Sequence, residues 1–186
     1  KKLGGEITVH GAKNSVLPIL ASTLLIKGEC TIHNVPDLAD VDASIKILRY
    51  LGAKVKKEKS TVTVDASVIT ENHIPEEMMR EMRSSIIFLG SLLSRTKEAS
   101  LCYPGGCDIG VRPIDLHISS LKKLGAVITE NGNCICCSAS QIHGTKIILT
   151  FPSVGATENI IISSVLAKGK TTIINPAREP EISDLA

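Results

Sequence analysis

Val41-Asp42-Ala43-Ser44-Ile45-Lys46-Ile47-Leu48-Arg49-Tyr50-Leu51-Gly52-Ala53 sets the period of the chain. With 73 added to each number it returns as Ile114-Asp115-Leu116-His117-Ile118-Ser119-Ser120-Leu121-Lys122-Lys123-Leu124-Gly125-Ala126. Val41, Ile45, Leu48 and Leu51 are spaced 4, 3 and 3, the apolar stripe of an amphipathic helix. Ile114, Ile118, Leu121 and Leu124 repeat that stripe, and Leu-Gly-Ala closes both copies. Adding 141 instead puts Ile182 and Ala186 in the same register, so a third copy begins and is cut off at Ala186. Each complete helix leads into a short hairpin. Residues 54–64 turn at charged side chains, and residues 126–137 turn at Asn131-Gly132.

Upstream of each stripe stands a largely apolar helix followed by a strand: 17–26 then 29–34, 86–93 then 99–103, and 160–167 then 170–175. A helix apolar nearly all round belongs in the core, whereas the one-sided helix faces solvent. Each unit therefore reads helix, strand, helix, strand, strand, which makes the chain an α/β protein. Although residues 75–95 could be read as one long helix, the repeat register asks for a break close to Met82.

At 186 residues the chain can bury a real core. That core is aliphatic: hydrophobic residues make up 43%, but Trp is absent and Phe88, Phe151, Tyr50 and Tyr103 are the aromatic residues. So few rings argue against base stacking, and a net charge of +2 without a long basic run argues against phosphate tracking, so nucleic acid is not an expected partner. No apolar run approaches the length of a membrane span, and Lys1-Lys2-Leu3-Gly4-Gly5 lacks a signal-peptide core. The expectation is a soluble, intracellular protein with no membrane contact. Its six cysteines (30, 102, 107, 134, 136 and 137) are then expected as free thiols. Cys134-Ile135-Cys136-Cys137 lies in an alternating, strand-like run without zinc-site spacing, so no metal is expected and these cysteines read as small buried hydrophobes.

Across the apolar helices the register offset is 69 from the first unit to the second and 141 from the first to the third, aligning Asn14 with Arg83 and Gly155 near the helix starts. If those starts meet, their dipoles point at one spot that attracts anions, with Lys13, Arg83 and Arg112 adding formal charge. The alternative for Lys13 and Arg83 is the solvated end of an amphipathic segment. The link between strand and second helix is four residues longer in the second unit, 73 minus 69. Those residues fall in Pro104-Gly105-Gly106-Cys107-Asp108-Ile109-Gly110-Val111-Arg112-Pro113. Adjacent glycines make this a loop, and Pro113 suits the first position of the following helix. A thiol near positive charge becomes a nucleophile or proton donor near neutral pH. The rival reading is a surface loop with an incidental cysteine.

Gly11-Ala12-Lys13-Asn14 with Leu17-Pro18-Ile19-Leu20, Met82-Arg83-Ser84-Ser85, the Pro104 to Pro113 loop running on into Ile114-Asp115-Leu116-His117, Ser153-Val154-Gly155-Ala156-Thr157 and Ala177-Arg178-Glu179-Pro180-Glu181 form five motifs in order. On them the chain resembles the UDP-N-acetylglucosamine 1-carboxyvinyltransferases. The resemblance implies an enolpyruvyl-transferase-type inside-out α/β barrel domain over residues 11–186, built from three repeats with the third truncated. Residues 1–10 would be a strand added to a second domain that lies outside this chain. The implied substrates are phosphoenolpyruvate and UDP-N-acetylglucosamine, with no cofactor, in a bacterial cytoplasmic enzyme of peptidoglycan synthesis. By family pattern Lys13, Asn14 and Arg112 hold phosphoenolpyruvate. Arg83 and the segment Arg112, Pro113, Ile114, Asp115 and Leu116 contact the sugar nucleotide, and Ser153 and Val154 sit by it. Cys107 is implied as general acid, as the site of a covalent phosphoenolpyruvate adduct, and as the target of fosfomycin.

Two departures accompany the resemblance. Some relatives carry Lys at the position of Phe151, and the second domain supplies an aspartate and an arginine that this chain lacks. The chain alone is therefore expected to be inactive. Two rivals stand beside this reading: the sister enolpyruvyl-shikimate-phosphate synthases, which do not use the loop thiol, and a non-catalytic half-protein that binds sugar nucleotides.

Overall fold

The computed structural model describes residues 4–82, 84–102, 114–132 and 134–186. The first apolar helix is α1 (Lys13–Ser22), continued by a 3-10 turn over Thr23–Leu25 and followed by strand β1 (Glu29–Ile32). The one-sided helix α2 (Ala39–Tyr50) then leads into the hairpin β2 (Lys54–Glu58) and β3 (Thr61–Asp65). A two-residue strand β4 (His73–Ile74) and a short helix α3 (Glu76–Glu81) precede a 3-10 turn at Ser85–Ile87 and α4 (Phe88–Thr96). Next come β5 (Glu98–Cys102), α5 (Asp115–Lys123), β6 (Val127–Asn131) and β7 (Cys134–Ser138). The last part holds β8 (Lys146–Ile148), α6 (Val154–Ser164), β9 (Thr172–Ile174) and α7 (Pro180–Leu185).

Local chemistry accounts for the recurring boundaries. Gly52 and Gly125 both adopt left-handed φ, +105° and +103°. In each case the next residue's N–H reaches back across the helix end, Ala53 to the Leu48 carbonyl and Ala126 to the Leu121 carbonyl, both at 3.0 Å. This is the Schellman closure, and it needs a residue without a Cβ in the left-handed position, hence Leu-Gly-Ala in both copies. Asn34 and Asn175, matched by the same offset as the first and third units, share φ +58° after β1 and β9. Asp40 and Asp42 in the first turn of α2 and Arg49 in its last turn match the helix dipole.

The strands form three small sheets. In the first the order is β1-β3-β2, all antiparallel. In the second it is β4-β5-β7-β6, with β4 parallel to β5 and the other pairs antiparallel. β8 and β9 form a parallel pair. The apolar helices meet in an aliphatic core that includes Leu20, Leu24, Leu89, Leu92, Leu93 and Ile160, with Phe88 fully buried among them.

Several expectations are adjusted. The break near Met82 is present: α3 ends at Glu81, Met82 is extended (φ −138°, ψ 120°), and a new turn starts at Ser85. α3 is the part of the 75–95 stretch that precedes this break, while β4 and β8 were not anticipated, because two- and three-residue strands carry too little period to register. α6 begins at Val154, beside Gly155 where the repeat register put a helix start, but it ends at Ser164 and leaves Val165 and Leu166 exposed; its buried face also holds Thr157, Glu158, Asn159 and Ser163.

The expectation of free thiols gives way at one pair. Cys102 and Cys134 are joined by a disulfide, and they are register partners across β5 and β7. Sequence spacing shows which cysteines share a strand face but not which strand lies opposite. Of the remaining described cysteines, Cys137 fits the buried-hydrophobe reading, its thiol pushed up to about 12 by burial, while Cys30 and Cys136 are half-buried.

Candidate functional site

Lys13 and Asn14 are the first two residues of α1. The Lys13 ammonium pairs with the Asp40 carboxylate in the first turn of α2. Asn14 Nδ2 donates to Glu181 Oε1 at 3.3 Å, and Ser15 Oγ donates to Asp184 Oδ2 at 2.6 Å, both on α7. The starts of α1 and α2 thus lie together against α7. The lysine and amide expected at an anion site already face carboxylates, which no local pattern announces. Asp40 belongs to a different helix from Lys13, and Glu181 stands near the opposite end of the chain from Asn14.

A second group of starts is joined at α5 and α6. Ile114 stands at the N-cap of α5 and is buried, Asp115 opens the helix exposed, and Leu116 is half-buried. Ser153 caps α6 by accepting the Ala156 N–H at 3.3 Å, and Val154 is the first residue of that helix. His117, the third residue of α5, packs against Gly155 so closely that a Cβ there would lie 3.1 Å from Cε1. The glycine permits that approach.

The two groups connect through α6 and α7. The Ala177 N–H donates to Thr157 Oγ1 at 3.0 Å. Glu158 is buried, and its carboxyl is pushed up to about 7, first by desolvation and then by the negative charge of Glu181. Desolvation likewise holds His117 down at about 4, so its imidazole is neutral at physiological pH. Arg83, Cys107, Arg112 and Pro113 lie outside the described residues. Sequence reading therefore singled out Lys13, Asn14, Ile114, Asp115, Leu116, Ser153 and Val154 at helix starts that the structure joins in two groups. It missed Glu158, Asn159 and Glu181, polar groups in apolar or motif surroundings whose significance rests on partners far along the chain.

Chemically, each group of helix starts can receive an oxyanion: Lys13 and Asn14 stand at one, facing the Asp40 and Glu181 carboxylates, and the neutral imidazole of His117 and the Ser153 hydroxyl stand at the other.

The chain is 52% identical over 185 residues to a UDP-N-acetylglucosamine 1-carboxyvinyltransferase 2 of Caldanaerobacter subterraneus, covering 100% of this chain and 44% of that protein. It is 50% identical over 187 residues to a UDP-N-acetylglucosamine 1-carboxyvinyltransferase of Endomicrobium trichonymphae, covering 100% and 45%. The chain thus spans less than half the length of these relatives. Among solved structures, the enolpyruvyl transferase NikO from Streptomyces tendae matches the fold with a TM-score of 0.85 at 21% identity, over 98% of this chain and 43% of that one. An EPSP synthase from Acinetobacter baumannii matches the fold at 0.74 and 17%, over 96% and 42%. Residues 1–186 match the EPSP synthase (3-phosphoshikimate 1-carboxyvinyltransferase) family from end to end, and the chain belongs to that family.

Proposed function

We propose that this chain is the part of a UDP-N-acetylglucosamine 1-carboxyvinyltransferase that carries the loop thiol, working in peptidoglycan synthesis. The observation that carries the proposal is the gathering of helix starts at which Lys13 and Asn14 meet α2 and α7 while Ser153 and Val154 meet α5. Identity of about half to relatives bearing that name favours the sugar nucleotide over shikimate phosphate.

In this reading the 3-hydroxyl of UDP-N-acetylglucosamine adds to C2 of phosphoenolpyruvate as C3 takes a proton. Loss of that proton equivalent and of phosphate then leaves the enolpyruvyl ether. Lys13, Asn14 and Arg112 hold the phosphate and carboxylate, stabilising charge that shifts between them during addition and elimination. Asp40 and Glu181 hold Lys13 and Asn14 in position and yield them to the incoming anion. Cys107 delivers the proton. Arg83, residues 112–116, Ser153 and Val154 line the sugar nucleotide. Residues 1–10 add a strand to a second domain, which closes over the substrates and supplies the base for the sugar hydroxyl. The enzyme works in the bacterial cytoplasm without a cofactor.

The test joins this chain to the remaining residues of the Caldanaerobacter subterraneus relative and follows phosphate release. Release with UDP-N-acetylglucosamine and not with shikimate 3-phosphate is expected. Release with shikimate 3-phosphate alone would replace this reading.

A further inference from the structure

Cys134-Ile135-Cys136-Cys137 takes no part in the proposed reaction, and the second sheet sorts it by face. Ile135 and Cys137 are buried in the core with Leu101 and Ala99, so Cys134 and Cys136 lie on the outward face of β7. There Cys134 is bonded to its register partner Cys102, and one step along the ladder Cys136 stands opposite Ser100. Three sulfurs therefore occupy adjoining places on one face, two joined and one free. The free one is within reach of solvent. Cys136 is half-buried and lines an open groove of about 260 Å³ with the polar side chains of Asn72, Glu98, Ser100, Thr129 and Ser138.

Ser100 Oγ stands 3.5 Å from Cys136 Sγ and can donate to its thiolate, the form that attacks a disulfide. Cys137, on the other face, has its thiol pushed up to about 12 by burial and stays protonated. Distance decides what Cys136 can attack. Two residues along a strand set the Cα atoms of Cys134 and Cys136 about 7 Å apart, at the limit for a direct bond between them. A sulfur carried on Cys134 as a mixed disulfide projects about 2 Å further and closes that gap. Cys102 is only 5% exposed, which leaves the half-buried Cys134 as the sulfur that an outside thiol can strike.

We propose that Cys102, Cys134 and Cys136 form a thiol–disulfide exchange centre that captures a small polar thiol, RSH, on Cys136. The thiolate of RSH attacks Cys134 Sγ to form a mixed disulfide, and the Cys102 thiolate leaves and takes up the proton that RSH gave. The Cys136 thiolate then attacks the sulfur of R and forms its own mixed disulfide. The Cys134 thiolate leaves and takes the proton lost by Cys136. One disulfide is consumed and one is made, so no oxidant or reductant enters. The groove holds R, and Cys102 and Cys134 end as thiols, with β5 released from its covalent tie to β7.

The test exposes the 186-residue chain to one equivalent of L-cysteine without oxygen, blocks the remaining thiols with N-ethylmaleimide and maps every cysteine by peptide fragmentation. The expected product carries the cysteinyl group on Cys136 and the blocking group on Cys102 and Cys134. Cys136→Ser should stop at the mixed disulfide on Cys134. Cys102→Ser should place nothing on Cys136, because the reduced thiol then has no disulfide to open. The wild-type map decides the matter even if a variant fails to fold. A chain isolated in air with Cys102 and Cys134 both free, or a Cys102–Cys134 bond still intact after exposure, would overturn the inference. So would an adduct resting on any cysteine other than Cys136, or labelling of Cys136 undiminished in Cys102→Ser.

Discussion

Two buried groups a few residues from the helix starts give the protein opposed responses to pH. His117 is held at about 4, below its usual 6.5, so the unfolded chain binds more protons between those values. Its contribution is therefore present above pH 6.5 and is lost as pH falls toward 4. Glu158 is raised from 4.5 to about 7, so the folded chain binds more protons across that window, and stability falls as pH rises through it. The two slopes offset one another in the wild-type protein. Glu158→Gln should unmask the histidine: chemical denaturation from pH 4 to pH 8 is expected to show stability rising and then level, with a gain over wild type at pH 8 of about 2 kcal/mol. An unchanged difference between the two proteins across that range would contradict the burial of this carboxyl. At the same scale, Cys107 carries two separable duties in the proposed reaction. In the completed enzyme, Cys107→Asp should keep measurable turnover, since a carboxyl with a raised pKa can donate a proton. It should lose covalent modification by fosfomycin, since a carboxylate is a far weaker nucleophile than a thiolate. Intact-protein mass after drug exposure and initial rates read the two effects separately.

Between elements, the closest approach that serves the site is α4 against α6. A Cβ on Gly90 would meet Asn159 Oδ1 and Ser163 Oγ at 2.5 Å and the Asn159 carbonyl at 2.9 Å. Gly90→Ala must push the helices apart or break the bonds of the Asn159 amide to the Gly90 N–H and the Ile86 carbonyl, so a loss of roughly 2–4 kcal/mol is expected by urea denaturation. A wild-type melting curve would show that the helices are less tightly joined than described. The disulfide acts on a different pair of elements. It ties β5 to β7 across a sequence separation of 32, and Cys102→Ser with Cys134→Ser should cost about 3 kcal/mol through the freed unfolded chain.

For the molecule as a whole, binding and turnover should separate. In the proposed enzyme the helix starts that face the substrates belong to this chain, while the groups that take the sugar hydroxyl's proton and complete the phosphoenolpyruvate site come from outside it. The 186-residue chain is therefore expected to release no phosphate above a Cys107→Ala control when given both substrates. Steady release above that control would show that one domain suffices.

Much of this was legible before any coordinates. The repeat registers identify the paired helices, and Leu-Gly-Ala marks their closures because only glycine takes that left-handed position without strain. The register also called for a break beside Met82 and pointed to the helix start at Lys13 and Asn14, whereas Ser153 and Val154 were named by the family resemblance and not by any period. Local pattern suffices for such features because each depends on residues within one or two turns. Tertiary structure alone decided the rest. It set Lys13 against Asp40, Asn14 against Glu181, Cys102 against Cys134 and Asn159 against His117, each pair drawn from two different elements. Hydrogen bonds, ion pairs and desolvation act through distance in space, and a one-dimensional period carries no information about which distant face comes to rest opposite.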